Sequence, residues 1–360
     1  MNNWQRWHID RPLFLALSLL SVVGMFVLYS ASGENSMLMV RHALRMALGF
    51  AVLVGVAQIG PETLRRWSPY IFAFGLVLLV AVLAIGSVTL GARRWLNLGI
   101  IRFQPAEIMK LGMPMMLAWL FARDSLPPKT QYIGLGGAIA LVPILLIAKQ
   151  PDLGTAALIL GSALTVLFLA GMSWRSILAV LLLAAMGAPL LWAHLHQYQR
   201  QRIATLLNPT SDPLGTGYHT IQSMIAVGSG GFFGKGWLNS SQAHLDFLPE
   251  SSTDFIFAVF AEEFGFLGIA MLFCLYLFII GRSLLIAFYA QDTYTRLLSG
   301  GLALTFFMYF FVNIGMVSGV LPVVGVPLPL VSYGGSATVT LMAAFGMIMS
   351  VHTHRRIITH

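Results

Sequence analysis

The sequence predicts an all-α, polytopic integral membrane protein with about ten transmembrane helices. Two observations carry that expectation. Hydrophobic residues make up 58% of the 360 and charged residues only 9%. The apolar residues also come in runs long enough to cross a bilayer, which takes about 20 residues of helix. These runs are continuous rather than alternating, so they do not fit a closed barrel, the other structure that satisfies backbone groups in lipid. Residues 1–360 read as one membrane domain.

Spans are expected near residues 13–31, 43–59, 69–90, 105–122, 132–148, 154–171, 176–193, 255–281, 296–318 and 334–352. The first follows a short basic start without a small-residue cleavage site, so it is expected to anchor rather than be removed. An even number of spans puts both termini on one side. Arg65, Arg66, Arg123, Lys129, Arg175, Arg282, Arg296, Arg355 and Arg356 fall there, and the positive-inside bias makes that side the cytoplasm. Arg41, Arg45, Arg93, Arg94, Arg102, Lys149, Arg200, Arg202 and Lys235 lie outside against that bias. With a net charge of +8 they suggest an anionic ligand there, lipid headgroups being the alternative. The one cysteine, Cys274, leaves no intrachain disulfide and no cysteine metal site.

Between spans 3 and 4, Pro105 suits a first helical turn and puts Glu107 and Lys110 one turn apart on one face. An intramembrane pair of that kind is either a lock between helices or part of a substrate site. Between spans 5 and 6, Asp152 follows Pro151 and is well placed to cap the next helix. A large extracytoplasmic loop, residues 194–253, is expected between spans 7 and 8, and loops of that length are usually functional. It contains Gly228-Ser229-Gly230-Gly231-Phe232-Phe233-Gly234-Lys235-Gly236, which lacks P-loop spacing and reads as a turn or a close backbone approach.

Residues 245–268 concentrate the acids: Asp246, Glu250, Asp254, Glu262 and Glu263, of the chain's 13. Carboxylates at and below a bilayer surface are expensive to keep. Asp254 begins span 8, where a carboxylate suits the helix dipole, and a plain N-cap role for Thr253 or Asp254 is the alternative to chemistry. At about 100° per residue, Glu262 lies about 80° around the helix from Asp254 and Glu263 on the opposite face. The two deeper acids are expected to have different partners and structural roles. Between spans 9 and 10, Pro322, Pro327 and Pro329 forbid a regular helix in an apolar run, so 319–333 is expected to be re-entrant. Ser332 to Ser336 then open span 10, where free amides can hold an anion and glycine packing is the alternative. No Ser–His–Asp set is supported, and His194, His196, His219 and His244 lack zinc spacing. These features suit a transferase acting on a lipid-linked anion, or equally a transporter of it.

Several blocks resemble the SEDS family (shape, elongation, division, sporulation) along essentially the whole chain. They are Phe103-Gln104-Pro105 with Glu107 and Lys110, Lys149 to Thr155, Phe247 to Glu250 with Thr253 to Phe257, and Asn313 with Gly319-Val320-Leu321-Pro322, Gly325 and Leu330 to Ala337. The compact length resembles the elongation members. Ala106 stands where a serine is expected, and Ser240-Ser241-Gln242 where Gly-Thr-Gln is expected. The resemblance implies a peptidoglycan glycosyltransferase that polymerises lipid II into glycan strands at the outer face of the bacterial inner membrane during cell elongation. Its implied partners are lipid II, the growing lipid-linked strand, a class B penicillin-binding protein and other elongation-machinery proteins, with no nucleic acid. In that picture Asp254 matches the family's essential aspartate and serves as general base. Arg102, Lys110, Arg202, Lys235, Gln242 and Ser332 are the candidate substrate-binding residues. Glu107, Lys110, Asp152, Glu250 and Glu262 are structural ion pairs or supports. A divalent cation, Mg or Mn, at the pyrophosphate is the one cofactor the reading leaves room for. The rival reading is a flippase for the same lipid-linked precursor.

Overall fold

The first amides of a helix lack partners within it, and at four helices the chain supplies a side-chain acceptor for them. Asp10 accepts from Leu13 N–H at 3.0 Å to start α1 (Arg11–Ala31), and Asn35 accepts from Leu38 N–H at 3.1 Å to start α2 (Ser36–Ala57). Pro61 opens α3 (Pro61–Ile85). Asp152 caps α6 (Leu153–Leu169) through Thr155 N–H, and Asp292 caps α11 (Thr293–Val317) through Thr295 N–H. The others are α4 (Ala106–Phe121), α5 (Thr130–Lys149), α7 (Gln197–Leu207), α8 (Thr216–Ser229), α9 (Ser241–His244), α10 (Ile256–Phe288) and α12 (Ser336–Thr353). This computed structural model describes residues 7–89, 92–97, 102–176, 178–179, 182, 186–187, 197–207, 216–244, 248 and 250–354.

Among the described residues seven helices are long and apolar enough to cross a membrane: α1, α2, α3, α5, α10, α11 and α12. The apolar α6 is shorter, and α4 is a helix of 16 residues, most of them buried. The span expected at 176–193 lies largely outside the described residues. The chain is thus a multi-pass helical membrane protein. One departure is a small antiparallel sheet between α3 and α4, of β1 (Ser87–Thr89), β2 (Ala92–Asn97) and β3 (Arg102–Phe103), in the order β1-β2-β3. Among the described residues the expected large loop also contains three helices, α7, α8 and the one-turn α9.

The core gathers around α11, which packs on α10, α6, α4 and α12, while α2 runs along α12. At one end of the bundle Arg282 grips Asp10 at 2.6 Å, and His352 approaches the same carboxylate at 3.3 Å. The rings of His8 and His354 stack there with centroids 3.8 Å apart. Both described ends of the chain therefore meet at one end of the bundle.

Helix α10 is broken. It has 33 residues, about 50 Å at 1.5 Å each, against a hydrocarbon core of about 30 Å. Gly265 interrupts it at φ 61° and ψ −162°, a conformation only glycine adopts readily. The break leaves backbone groups that the glycine-rich segment completes. Lys235 and Gly236 N–H donate to the carbonyls of Glu262 and Glu263, each at 3.0 Å. Phe266 and Leu267 N–H donate in turn to Gly231 and Phe232 carbonyls at 2.9 and 3.1 Å. A Cβ on Gly265 would stand 2.3 Å from Gly234 N, so the two backbones touch. The segment is a splice across a broken helix, supplying four backbone bonds in place of those that the break removes.

Candidate active site

The irregular segment 319–335 enters the bundle because four helices accept it. Tyr276 of α10 donates to Pro329 O at 2.6 Å, and Asn313 of α11 donates to Val326 O at 2.7 Å. Gly24 of α1 lets Leu330 O come where a Cβ would stand 2.6 Å away, and Gly154 of α6 does the same for Val324 O at 2.7 Å. Beside this segment lies a cavity of about 300 Å³ whose wall includes Arg94, Gln104, Glu107, Lys110, Asp152, Tyr309, Gly325 and Tyr333. Its polar lining distinguishes it from the apolar cleft of about 500 Å³ between α1 and α10.

Asp254 stands at the edge of that cavity. A Cβ on Gly325, part of the wall, would be 3.3 Å from Asp254 Oδ2. The N-cap of α10 is Phe255 and carries no side-chain cap bond, so neither Thr253 nor Asp254 caps the helix. Thr253 instead donates to Glu250 Oε2 at 2.7 Å. The Asp254 carboxylate makes no hydrogen bond or ion pair within the described residues. Burial pushes its pKa from 3.8 up to about 6, the charge of Glu250 pushes the same way, and Arg202 of α7 opposes them. Such a carboxylate is charged at neutral pH yet more basic than an exposed one. Glu250 holds a left-handed backbone, φ 58°, just before it.

Glu107 and Lys110, on the first turns of α4, close at 2.6 Å within the cavity wall. The Lys110 ammonium also sits 4.8 Å from the centre of the Tyr309 ring. Glu107 Oε2 is buried with no hydrogen-bond partner among the described residues. Asp152 does two things: one oxygen caps α6, and the other accepts from Gln104 Nε2 at 3.1 Å with Arg94 Nε at 3.8 Å. Tyr333 of the wall carries Arg45 over its ring, 4.7 Å from the centroid. The amino end of α12, at Gly335, has no side-chain cap.

Three candidate substrate-binding residues are placed elsewhere. Lys235 is turned into Glu262 at 2.6 Å, because the splice bonds its backbone N–H to the carbonyl of that same acid. Gln242 gives its backbone N–H to Glu262 Oε2 at 3.3 Å and belongs to the same cluster. Ser332 is buried in its own turn, its oxygen accepting from Leu328 N–H at 2.7 Å. Arg102 is in β3, opposite Asn97, and its side chain lies outside the described residues. Arg202 is exposed on α7 within electrostatic reach of Asp254. Glu262 and Glu263 have separate partners, the Lys235 cluster and Ser30 of α1.

Residue-level reading missed Tyr309 and the structural use of Asn313. They lie four residues apart on α11 and so share a face, which is the one signal that points to Tyr309 once Asn313 is singled out.

The family of cell cycle proteins typified by FtsW, RodA and SpoVE matches residues 10–357. The chain is 52% identical to the peptidoglycan glycosyltransferase MrdB of Escherichia coli K12, covering 99% of this chain and 96% of that one. It is 31% identical to the peptidoglycan glycosyltransferase RodA of Treponema pallidum, covering 96% and 98%. Among solved structures it is similar to a chain from work on the structural coordination of polymerization and crosslinking by a peptidoglycan synthase complex. That match has a TM-score of 0.84 and 32% identity over 95% of this chain and 97% of the other. The rod shape determining protein RodA of Thermus thermophilus matches with a TM-score of 0.73 and 28% identity over 95% and 96%.

Proposed function

We propose, for a chain that belongs to the FtsW/RodA/SpoVE family and is a peptidoglycan glycosyltransferase, that Asp254 is the general base of the transfer. The observation that carries the reading is a raised, unpaired carboxylate against the bare face of Gly325 at the edge of a polar cavity. The substrates are lipid II and the growing lipid-linked strand, on the extracytoplasmic side of the inner membrane, with both termini in the cytoplasm.

In the reaction the acceptor sugar's 4-hydroxyl loses its proton to the Asp254 carboxylate as its oxygen bonds to the donor's anomeric carbon. The bond from that carbon to the pyrophosphate oxygen breaks, and undecaprenyl pyrophosphate leaves with the electron pair. A single displacement converts an α donor to a β product. General-base assistance of this kind contributes about 10²–10⁴-fold. The growing charge on the leaving group is met by Lys110 and Arg94 in the cavity wall and by the uncapped amino end of α12. No three His, Cys, Asp or Glu side chains come together among the described residues, and a divalent cation at the pyrophosphate would be held mainly by the phosphate oxygens with one or two carboxylates.

The partner is a class B penicillin-binding protein that crosslinks the new strands. The test is polymerisation of labelled lipid II by the purified protein with that partner, comparing wild type with Asp254→Asn. A ladder of glycan chains in the wild type that falls at least about 10²-fold in the variant is expected. A variant that still folds, still binds its partner and still makes the ladder removes Asp254 from the chemistry.

A further inference from the structure

Asn313 lies near the end of α11 with none of its surface exposed. Its side-chain amide donates twice, to Asp254 O at 2.9 Å and to Val326 O at 2.7 Å. Both acceptors are carbonyls, so only the NH₂ end of the side chain can face them, which settles the orientation of the amide. The Asp254 carbonyl needs such a donor, because Ala258 N–H closes on Phe255 O at 2.9 Å, one residue later, where α10 begins. Val326 follows Gly325, whose backbone, at φ 73°, forms the wall against Asp254 Oδ2. One amide therefore holds both the chain that carries the carboxylate and the wall it rests on. A second bond between the same two segments runs from Tyr333 N–H to Ser252 O at 2.9 Å.

We propose that Asn313 is a positioning residue that holds the Asp254 carboxylate against the Gly325 wall of the cavity. This rests on the reading of Asp254 as the general base. A base must meet the acceptor hydroxyl within hydrogen-bond reach, and an error of about 1 Å in such a placement can lower a rate about 10²-fold. Lys110 and Glu107 have their own anchors and stay in place when Asn313 is changed. The groups that set the charge on Asp254 are Glu250 beside it and Arg202 on α7, with His219 of α8 stacked on Phe255.

The experiment compares Asn313→Leu, Asn313→Ser, Asn313→Gln and Asp254→Asn, each with its partner, in lipid II polymerisation across pH 5–8 (a window spanning the usual carboxylate and histidine ranges). Leucine keeps the size and removes both donors. Serine keeps one, and glutamine restores the NH₂ at one methylene's remove. For Asn313→Leu a fall in kcat of about 10²-fold is expected, with KM for lipid II nearly unchanged. The acid limb of its rate profile moves below the wild-type midpoint, as the carboxylate leaves its buried seat. Asn313→Gln recovers part of the rate. Where Asn313→Leu does not fold, Asn313→Ser is read the same way, since one hydroxyl cannot reach both carbonyls. An unchanged kcat and acid limb in the folded variant, while Asp254→Asn is inactive, overturns the proposal and leaves the base in place. Activity in Asp254→Asn overturns both.

Discussion

Two lysine–glutamate pairs close at the same 2.6 Å, and they are built for different purposes. Glu262 is fully buried and saturated. Lys235 and the hydroxyls of Ser240 and Ser241 donate to it at 2.6 to 2.7 Å, and the N–H groups of Ser241 and Gln242 add two longer bonds. Lys235 itself keeps 35% of its side chain exposed. Glu107 is nearly as buried, yet one of its oxygens has no hydrogen-bond partner among the described residues and its lysine is 11% exposed. The first pair fastens a loop to a broken helix. The second leaves acceptor capacity at the wall of a cavity, which suits a site that must answer to a ligand.

Removing the lysine should separate the two pairs most clearly. Lys110→Met leaves a buried carboxylate without its cation, so a loss of about 3–5 kcal/mol is expected, together with loss of polymerisation. Lys235→Met leaves Glu262 with its hydroxyl and amide donors, so about 1.5–3 kcal/mol is expected and polymerisation survives. Thermal unfolding in detergent reads the stabilities. Equal losses in the two variants would erase the distinction between the pairs.

Gly265 tests the splice to which Lys235 belongs. Gly265→Ala forces a side chain into a φ and ψ held by glycine and drives a Cβ to 2.3 Å from Gly234 N. Strain of about 1–3 kcal/mol from the backbone alone is expected, before the contact is counted. The Gly137→Ala control has open space around it on α5 and should be nearly neutral. Equal melting temperatures for the two alanine variants would mean that the loop yields freely and the splice carries little.

The bundle was legible because lipid enforces a simple rule: an apolar run must be a helix. The helix edges at Ala31, Lys149 and Leu169 fall within two residues of the expected ones. The break at Gly265 was not legible. Its missing bonds are supplied from about 30 residues away by a segment whose glycines look like any turn, and backbone pairing leaves no periodic trace. The same blindness hid the partners of Lys235 and Ser332. A list of exposed bases does not show which of them already has an acid, and a polar residue in a re-entrant turn can be used up by its own backbone. Asp254 was named through resemblance, with a cap role left open. What sets it apart is the absence of the cap bond that Asp10, Asn35, Asp152 and Asp292 all make.

That contrast between capping acids and Asp254 gives the smallest expected effect. A cap is stabilised in its charged form, whereas burial and Glu250 raise the pKa of Asp254 to about 6, above its ordinary 3.8. A group raised in the folded state contributes stability that is complete below 3.8 and is lost as pH rises through about 6. At neutral pH the charged Asp254 therefore destabilises the fold, by on the order of 1 kcal/mol once its partial exposure is allowed for. Asp254→Asn removes the charge, so at pH 8 the variant should melt on the order of 2 °C higher than wild type. At pH 4 the two should melt together. The acid limb of wild-type polymerisation should fall with a midpoint near pH 6, because only the deprotonated carboxylate accepts the acceptor's proton. Asp292→Asn, at a capping position, should gain nothing at pH 8. A gain there, or none in Asp254→Asn, would place Asp254 among the capping acids after all. A variant that is more stable and inactive is the signature of a charge kept for chemistry.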